Sequence, residues 1–563
     1  MMTARVFSTA ALLAIAALGS FSCAAPEKHE PKARAVSEPL FDNLGSLQHP
    51  ITTRDPLAQK YFDQGMRLIF AFNHEEAIRS FEQAARLDPD AAMAYWGIAL
   101  ALGPNINAPM QREQKPRAYE AIQKARAHAS HVTPRERDYI DALTVRYSLS
   151  SDADRSELDR IYANAMRAHS KKHPEDPDAA ALFAESLMDL RPWDFWTNEG
   201  RPQPGTAEIV EVLEGVLIRH PNHPGACHYY IHAVEASRHP ERALPCAQRL
   251  PALMPGAGHL VHMPAHIYIR VGMYEEAVER NIHAVATDRH YLEGRTLSGG
   301  YPLGYYPHNI HFLGMALTMQ GRSEEAIKAS RDLMGAVSLD AIRAAPNMES
   351  FLPTPLFALA RFGRWEEILR EPAPAPDLSY TTALWHYARG LAFTAKGQLD
   401  QANVELRQLE ANAKMERVDR IVGNNRAKTV LDIAKHVLSG NINARAGKLD
   451  EAIAHFKEAV RLQDQLRYYE PPDWYYPVRE SLGTLLLLAG RPADAEAVFR
   501  EDLRRTPENP WSLFGLGRSL RAQKADTEAA AIEDRFRLAW RRADIGFRPS
   551  RFEAFLAGES PAT

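Results

Sequence analysis

YFDQGMRLIFAFNHEEAIRSFEQAARLDP, the stretch from Tyr61 to Pro89, sets the frame for the whole chain. Apolar residues recur at helical spacing on either side of a break near Asn73, so it predicts two short helices joined by a tight turn. Gly65 is the small residue where the first helix meets the second, Ala77, Phe81 and Ala84 form the interface, and Pro89 follows the second helix. Working outward, the same spacing returns at Gly97 beside Tyr95 and Trp96, and at Ala243 with Pro255. It recurs at Gly272, Tyr274, Ala277 and Ala284, then at Gly314, Gly321 and Ala326. Later copies carry Gly363, Trp365 and Ile368; Gly390, Gly397 and Ala402; and Gly440, Gly447, Ala452, Phe456 and Ala459. The last are Gly483, Gly490, Ala495, Phe499 and Pro507, and then Trp511 and Gly515.

This pattern resembles the tetratricopeptide-repeat family from about residue 57 to 540. The resemblance implies an all-α fold, a right-handed superhelical solenoid of helix pairs. Each pair has an apolar face that it cannot bury alone, so neighbours must stack. We divide the chain into an N-terminal set of repeats at 46–222, a central set at 223–345, a C-terminal set at 346–545 and a tail at 546–563. Three stretches break the period: Arg191 to Gly205, Tyr291 to Pro307, and Glu371 to Tyr380. The first two flank the histidine-rich centre described below, which makes them candidate lids, with Trp193, Asp194, Phe195 and Trp196 as an aromatic lid or plug.

The composition agrees with a helical array. Of 563 residues 25% are charged and 9% aromatic, and alternating Val/Ile/Thr-rich segments are scarce. A net charge of -4 argues against nucleic-acid binding and against attraction to anionic lipid. Phosphate-binding glycine loops, GxSxG elbows and HExxH motifs are absent from the sequence.

Arg5, the apolar run Ala10 to Leu18, and the small residues Ser20 and Ser22 resemble a bacterial signal peptide over 1–22. Cys23 is then a candidate lipid anchor, although Phe21 and Ser20 depart from the usual lipoprotein box. Residues 23–45 read as a flexible tether containing Pro26 and Pro31. Export to the periplasm, free or as a membrane-anchored lipoprotein, is the expectation. Cys227 and Cys246 fall on the two helices of one repeat; they either pair in an oxidising compartment or are two small buried residues.

The chemistry concentrates in three blocks: HYYIHAVE from His228 to Glu235, HLVHMPAH from His259 to His266, and HNIH from His308 to His311. Taking the small inner residues Ile231, Ala265 and Gly314 as origins, His228, His262 and His311 stand three positions before. His232 and His266 stand one after, His259 and His308 six before, and Glu235 four after. In the family the chain resembles, these offsets face the concave groove that takes peptide ligands. First helices of neighbouring repeats pack about 8–10 Å apart, close enough for imidazoles from two of them to share an ion. Neutral imidazole suits zinc, copper, iron or nickel, so the set predicts a site for one or two transition-metal ions.

Pro307 fits the first residue of a helix, which puts His308 and His311 in the opening turn, where the dipole keeps them neutral. Pro264 interrupts the middle block, which makes His266 the safer ligand and leaves the directions of His259 and His262 open. Glu235 is a candidate catalytic base, a ligand, or an outer partner orienting His232. His74 is expected to be structural, His386 to be buried in an interface, and His220, His223 and His239 to be exposed or capping at helix ends. Trp474, Tyr475 and Tyr476 are expected to pack the entrance of a late repeat. Two functions follow: a metal-centred envelope protein whose reaction the residues do not name, or a scaffold that holds a peptide, protein segment or small molecule in its groove without metal.

Overall fold

A computed structural model describes residues 38–150, 153–295 and 299–546. The signal-like segment with Cys23, the start of the tether, Ser298 and the end of the tail lie outside the described residues. From Glu38 onward the chain forms one unit, built from helix pairs stacked in chain order. The strands among the described residues are a two-residue hairpin, Ile421–Val422 against Asn425–Arg426. Among the described residues no helix is long and apolar enough to cross a membrane.

The first pair shows why the sequence folds this way. Asp55 accepts a hydrogen bond from the Leu57 amide at 2.8 Å and Pro56 opens the helix Pro56–Phe70. Asn73 caps the second helix, His74–Leu87, through the Glu76 amide. The ring of Phe81, fully buried, fills the space beside Gly65 and Gly97, where an added Cβ would come within 2.3 and 2.6 Å of it. Phe499 sits in the same way between Gly483 and Gly515, and Phe456 against Gly440.

The turn inside each pair follows one rule. Gly272, Gly321, Gly363, Gly397, Gly447 and Gly490 all have φ between 68° and 82°, each two residues before a second helix begins. This left-handed backbone favours glycine because it has no Cβ. In the first pair the position is held by Phe72 at φ 55°, and in the last by Lys524 at φ 62°. Phe72 is therefore a strained exception, and its ring is used at the site described next.

Candidate metal centre

Three first helices carry the histidines: Pro224–Val234, the broken helix Gly258–His262 and Pro264–Arg270, and Tyr306–Met319. His223 starts the first of them, its Nδ1 accepting from the Ala226 amide at 3.0 Å and its Nε2 meeting buried Asp178 at 2.9 Å. It thus caps the helix, one of the two roles expected of it. In the second, Met263 keeps a right-handed helical backbone, so the chain turns on through Pro264 without swinging away. The ring centroids of His262 and His266 consequently lie 4.7 Å apart. In the third, the helix starts at Tyr306, one residue before Pro307, so His308 lies in its first turn and His311 beyond it.

The inner cluster consists of His262, His266 and His308. Their Nε2 atoms are separated by 2.9 Å (His262 to His266), 3.1 Å (His262 to His308) and 3.5 Å (His266 to His308). The opposite ring nitrogens of His262 and His266 face other groups. The Asn281 amide donates to the Ala277 carbonyl, which leaves its oxygen to accept from His262 Nδ1 at 2.7 Å. His266 Nδ1 lies 2.7 Å from Glu235 Oε2 and 3.0 Å from Glu470 Oε2, an ion-pair position that only a protonated nitrogen can hold.

The outer cluster is His228, His232 and His259, whose ligand atoms lie within 4.8 Å of one another. His228 Nδ1 donates to the Phe70 carbonyl at 2.7 Å, and His232 Nδ1 donates to Glu235 Oε1 at 3.0 Å. The Nε2 of His228 faces that of His259 at 3.2 Å, while the buried Nε2 of His232 has no hydrogen-bond partner. Glu235 thus joins the clusters, one oxygen on an imidazole of each.

Electrostatics divide the rings. Burial, aided by neighbouring imidazoles, holds His228, His259, His262 and His308 well below the ordinary histidine range. His266 is the exception: burial would lower it, but Glu235 and Glu470 outweigh burial and raise it to about 9. Glu235 is lowered to about 2 because the charges of His266 and His232 overcome the cost of burial, whereas burial lifts Glu470 to about 7.

The expected open groove is closed over these side chains. His228, His262 and His266 are 0% exposed, and His259, His232 and Glu235 no more than 2%. Phe72 stands 4.5 Å from the His228 ring and stacks on His232 and His259 at 6.0 and 5.8 Å. From the first insertion, Trp193 meets His232 edge-on at 5.3 Å; from the second, Tyr305 lies 4.7 Å from His259. Asn107 ties these two together, accepting from Trp193 Nε1 at 3.0 Å and donating to the Tyr305 hydroxyl at 3.0 Å. Tyr301 is buried and locked, its hydroxyl donating to Asp288 and accepting from the His259 amide. In the third insertion the Glu371 carbonyl accepts from Trp385 Nε1, and Asp377 pairs with Arg343.

Six of the seven candidate histidines come together and His311 does not. The imidazole at offset minus six meets the one at minus three on the preceding first helix: His259 with His228, and His308 with His262. Consecutive first helices are thus staggered by about one turn. His311 would need such a partner from the next repeat, and Phe351 stands 5.6 Å from it instead. His311 borders a separate cavity of about 210 Å³ with Phe357, Trp474 and Tyr475.

Of the remaining expectations, His74 and His386 are both half-buried, His74 near Asn105 and His386 paired with Glu405. Trp474 is buried against Tyr387. Cys227 and Cys246 are buried, free thiols. Three contributors escaped the sequence reading: Phe72, Asn281 and Glu470. Glu470 left one signal, a carboxylate, with Asp473, in the aromatic, proline-rich segment from Tyr468 to Tyr476.

No curated protein matches the sequence. Among solved structures, a human IFIT1 dimer with m7Gppp-AAAA is 13% identical, with 86% of this chain and 96% of that chain covered and a TM-score of 0.36. A human IFIT1 dimer with PPP-AAAA is also 13% identical, covering 84% of this chain and 89% of that chain at a TM-score of 0.30. The tetratricopeptide-repeat family matches residues 62–102 and 481–544, the first and last parts of the helix-pair stack. The matches fall on the pairs in which Phe81 and Phe499 pack between glycines, and the same pairing continues between them, so the fold is a tetratricopeptide-repeat solenoid.

Proposed function

We propose that the two histidine clusters hold one or two transition-metal ions, zinc, copper or iron, inside the repeat stack. The inner cluster carries this reading. An ion with imidazole nitrogens at about 2.0–2.1 Å sets those nitrogens about 2.9 Å apart at right angles and about 3.3 Å apart in a tetrahedron. Two of the three separations, 2.9 and 3.1 Å, fall in that range, and the third, 3.5 Å, lies just above it. His262 and His266 hold their Nδ1 atoms against an amide oxygen and two carboxylates, the outer arrangement that fixes a ligating imidazole. The unpartnered Nε2 of His232 and Nδ1 of His259 supply free donor atoms in the outer cluster. Glu235, with an oxygen against each of two rings, serves in this reading to orient both sets of ligands. A bound ion would supply Lewis acidity toward an oxygen ligand at a coordination position left open by three imidazoles.

The signal-like segment and Cys23 support placing the protein in the cell envelope, as an exported or lipid-anchored protein. The second reading is a scaffold that binds a protein segment without metal. It is favoured by the cavity beside His311, whose aromatic walls suit an apolar side chain.

Elemental analysis of protein purified without a histidine tag tests the first reading. It should find one or two transition-metal ions per chain, and His262→Ala and His308→Ala should each lose the inner ion. A protein without metal, whose melting temperature ignores chelators, leaves the scaffold reading alone.

A further inference from the structure

A third group of potential ligands lies apart from the central histidines, on the N-terminal repeats. His169 is in the last turn of the helix Arg155–Lys172, and His173 follows it by four residues as the cap, its amide donating to the His169 carbonyl at 3.0 Å. This spacing turns both rings to one side of the helix. The ring centroids are 5.0 Å apart. Asp138 reaches them from the adjacent helix Pro134–Thr144, its Oδ2 lying 2.7 Å from His173 Nε2. One ligand atom from each of Asp138, His169 and His173 lies within 4.8 Å of the other two.

The informative residue is His169. It is 4% exposed, packed under the Tyr139 ring at 4.1 Å, and neither of its ring nitrogens has a hydrogen-bond partner. An imidazole removed from water with both nitrogens idle is costly unless something accepts its lone pair. Burial also keeps this ring neutral at physiological pH, with its pKa lowered to about 4. Its neighbours are half-buried, so the group opens to solvent on the side of Asp138 and His173.

We propose that Asp138, His169 and His173 form a second, separate site for a divalent first-row metal ion. Two imidazoles and one carboxylate, with positions left for water, suit zinc or ferrous iron better than calcium or magnesium, which take oxygen ligands. Lys172 now neutralises the carboxylate, its ammonium 2.9 Å from Asp138 Oδ1. That side chain is 61% exposed, so it can leave for solvent as the ion arrives. The site therefore exchanges a lysine ammonium for a dication, and Lys172 competes with the metal.

That competition provides the test. The full chain is stripped with chelator and titrated with Zn2+ by calorimetry, beside His173→Asn and Lys172→Ala. The asparagine variant should bind one Zn2+ fewer than wild type. The alanine variant should bind that same equivalent about threefold more tightly, since a partly exposed ion pair of ordinary strength has been removed. A purely structural Lys172–Asp138 pair would leave zinc affinity unmoved. If His173→Asn keeps every equivalent and Lys172→Ala shows no gain, the site is excluded, whatever the central clusters bind. Loss of metal from those clusters alone would leave this equivalent in place.

Discussion

The Nε2 atoms of His262 and His266 lie 2.9 Å apart, and without an ion a proton on His266 bridges them. Its Nδ1 already holds a proton between Glu235 and Glu470, and its pKa is raised to about 9, so Nε2 also carries one and donates it to His262. A raised histidine pKa contributes stability fully below its ordinary value near 6.5, and that stability is lost as pH climbs through 9. Chelator-treated protein should therefore weaken between pH 6.5 and 9 in denaturant titrations. Glu235→Gln should flatten this part of the profile, and a flat wild-type curve would refute the charge assignment.

Glu235 meets His232 and His266, so one substitution should disturb both clusters. Loss of an outer partner of a ligating histidine typically weakens metal binding by about 10–100-fold. Glu235→Gln should show that loss for two ions in chelator competition, whereas Glu470→Gln should show it only for the ion at His266. Equal behaviour of the two variants would contradict the arrangement.

Phe72 occupies a turn position that glycine holds in six later repeats, and its ring covers His228, His232 and His259. Phe72→Gly relieves backbone strain of about 1–3 kcal/mol but forfeits about 3–5 kcal/mol of ring packing. The net expectation is a loss of about 2 kcal/mol, the difference between the middles of the two ranges. Histidine acylation by diethyl pyrocarbonate should also quicken. Unchanged reactivity would show that the ring does not shield the cluster.

Phe81 and Phe499 each fill the gap between two glycines that have no side chain to move in after them. Phe81→Ala and Phe499→Ala should each cost about 3–5 kcal/mol, read from denaturant midpoints. Adding Gly65→Ala to Phe81→Ala should recover part of that loss by filling the hole. The same Gly65→Ala change alone should be severely destabilising.

The repeat architecture was legible because its determinants are local: a glycine, an alanine and a phenylalanine at set distances within one helix pair. The histidine register was legible for the same reason, and it brought six imidazoles together. It misplaced His311 because register within a repeat does not encode the one-turn stagger between repeats, which pairs minus six with minus three. Glu470, Phe72 and Asn281 reach the centre from the late repeats, from the first turn and from a second helix. No spacing rule links such distant segments, so stacking had to be seen. Pro264 suggested a break in direction, yet Met263 remained helical and kept His259, His262 and His266 on one side.

Glu470 has a bearing on biogenesis. On the ribosome, the helices bearing His228 to His308 emerge and can stack long before residue 470 is made, so His266 first meets Glu235 alone. The cluster gains its second carboxylate only when the late repeats fold back onto the central ones. A polypeptide cut short before Glu470 would keep the imidazoles while lacking one of the two carboxylates beside His266.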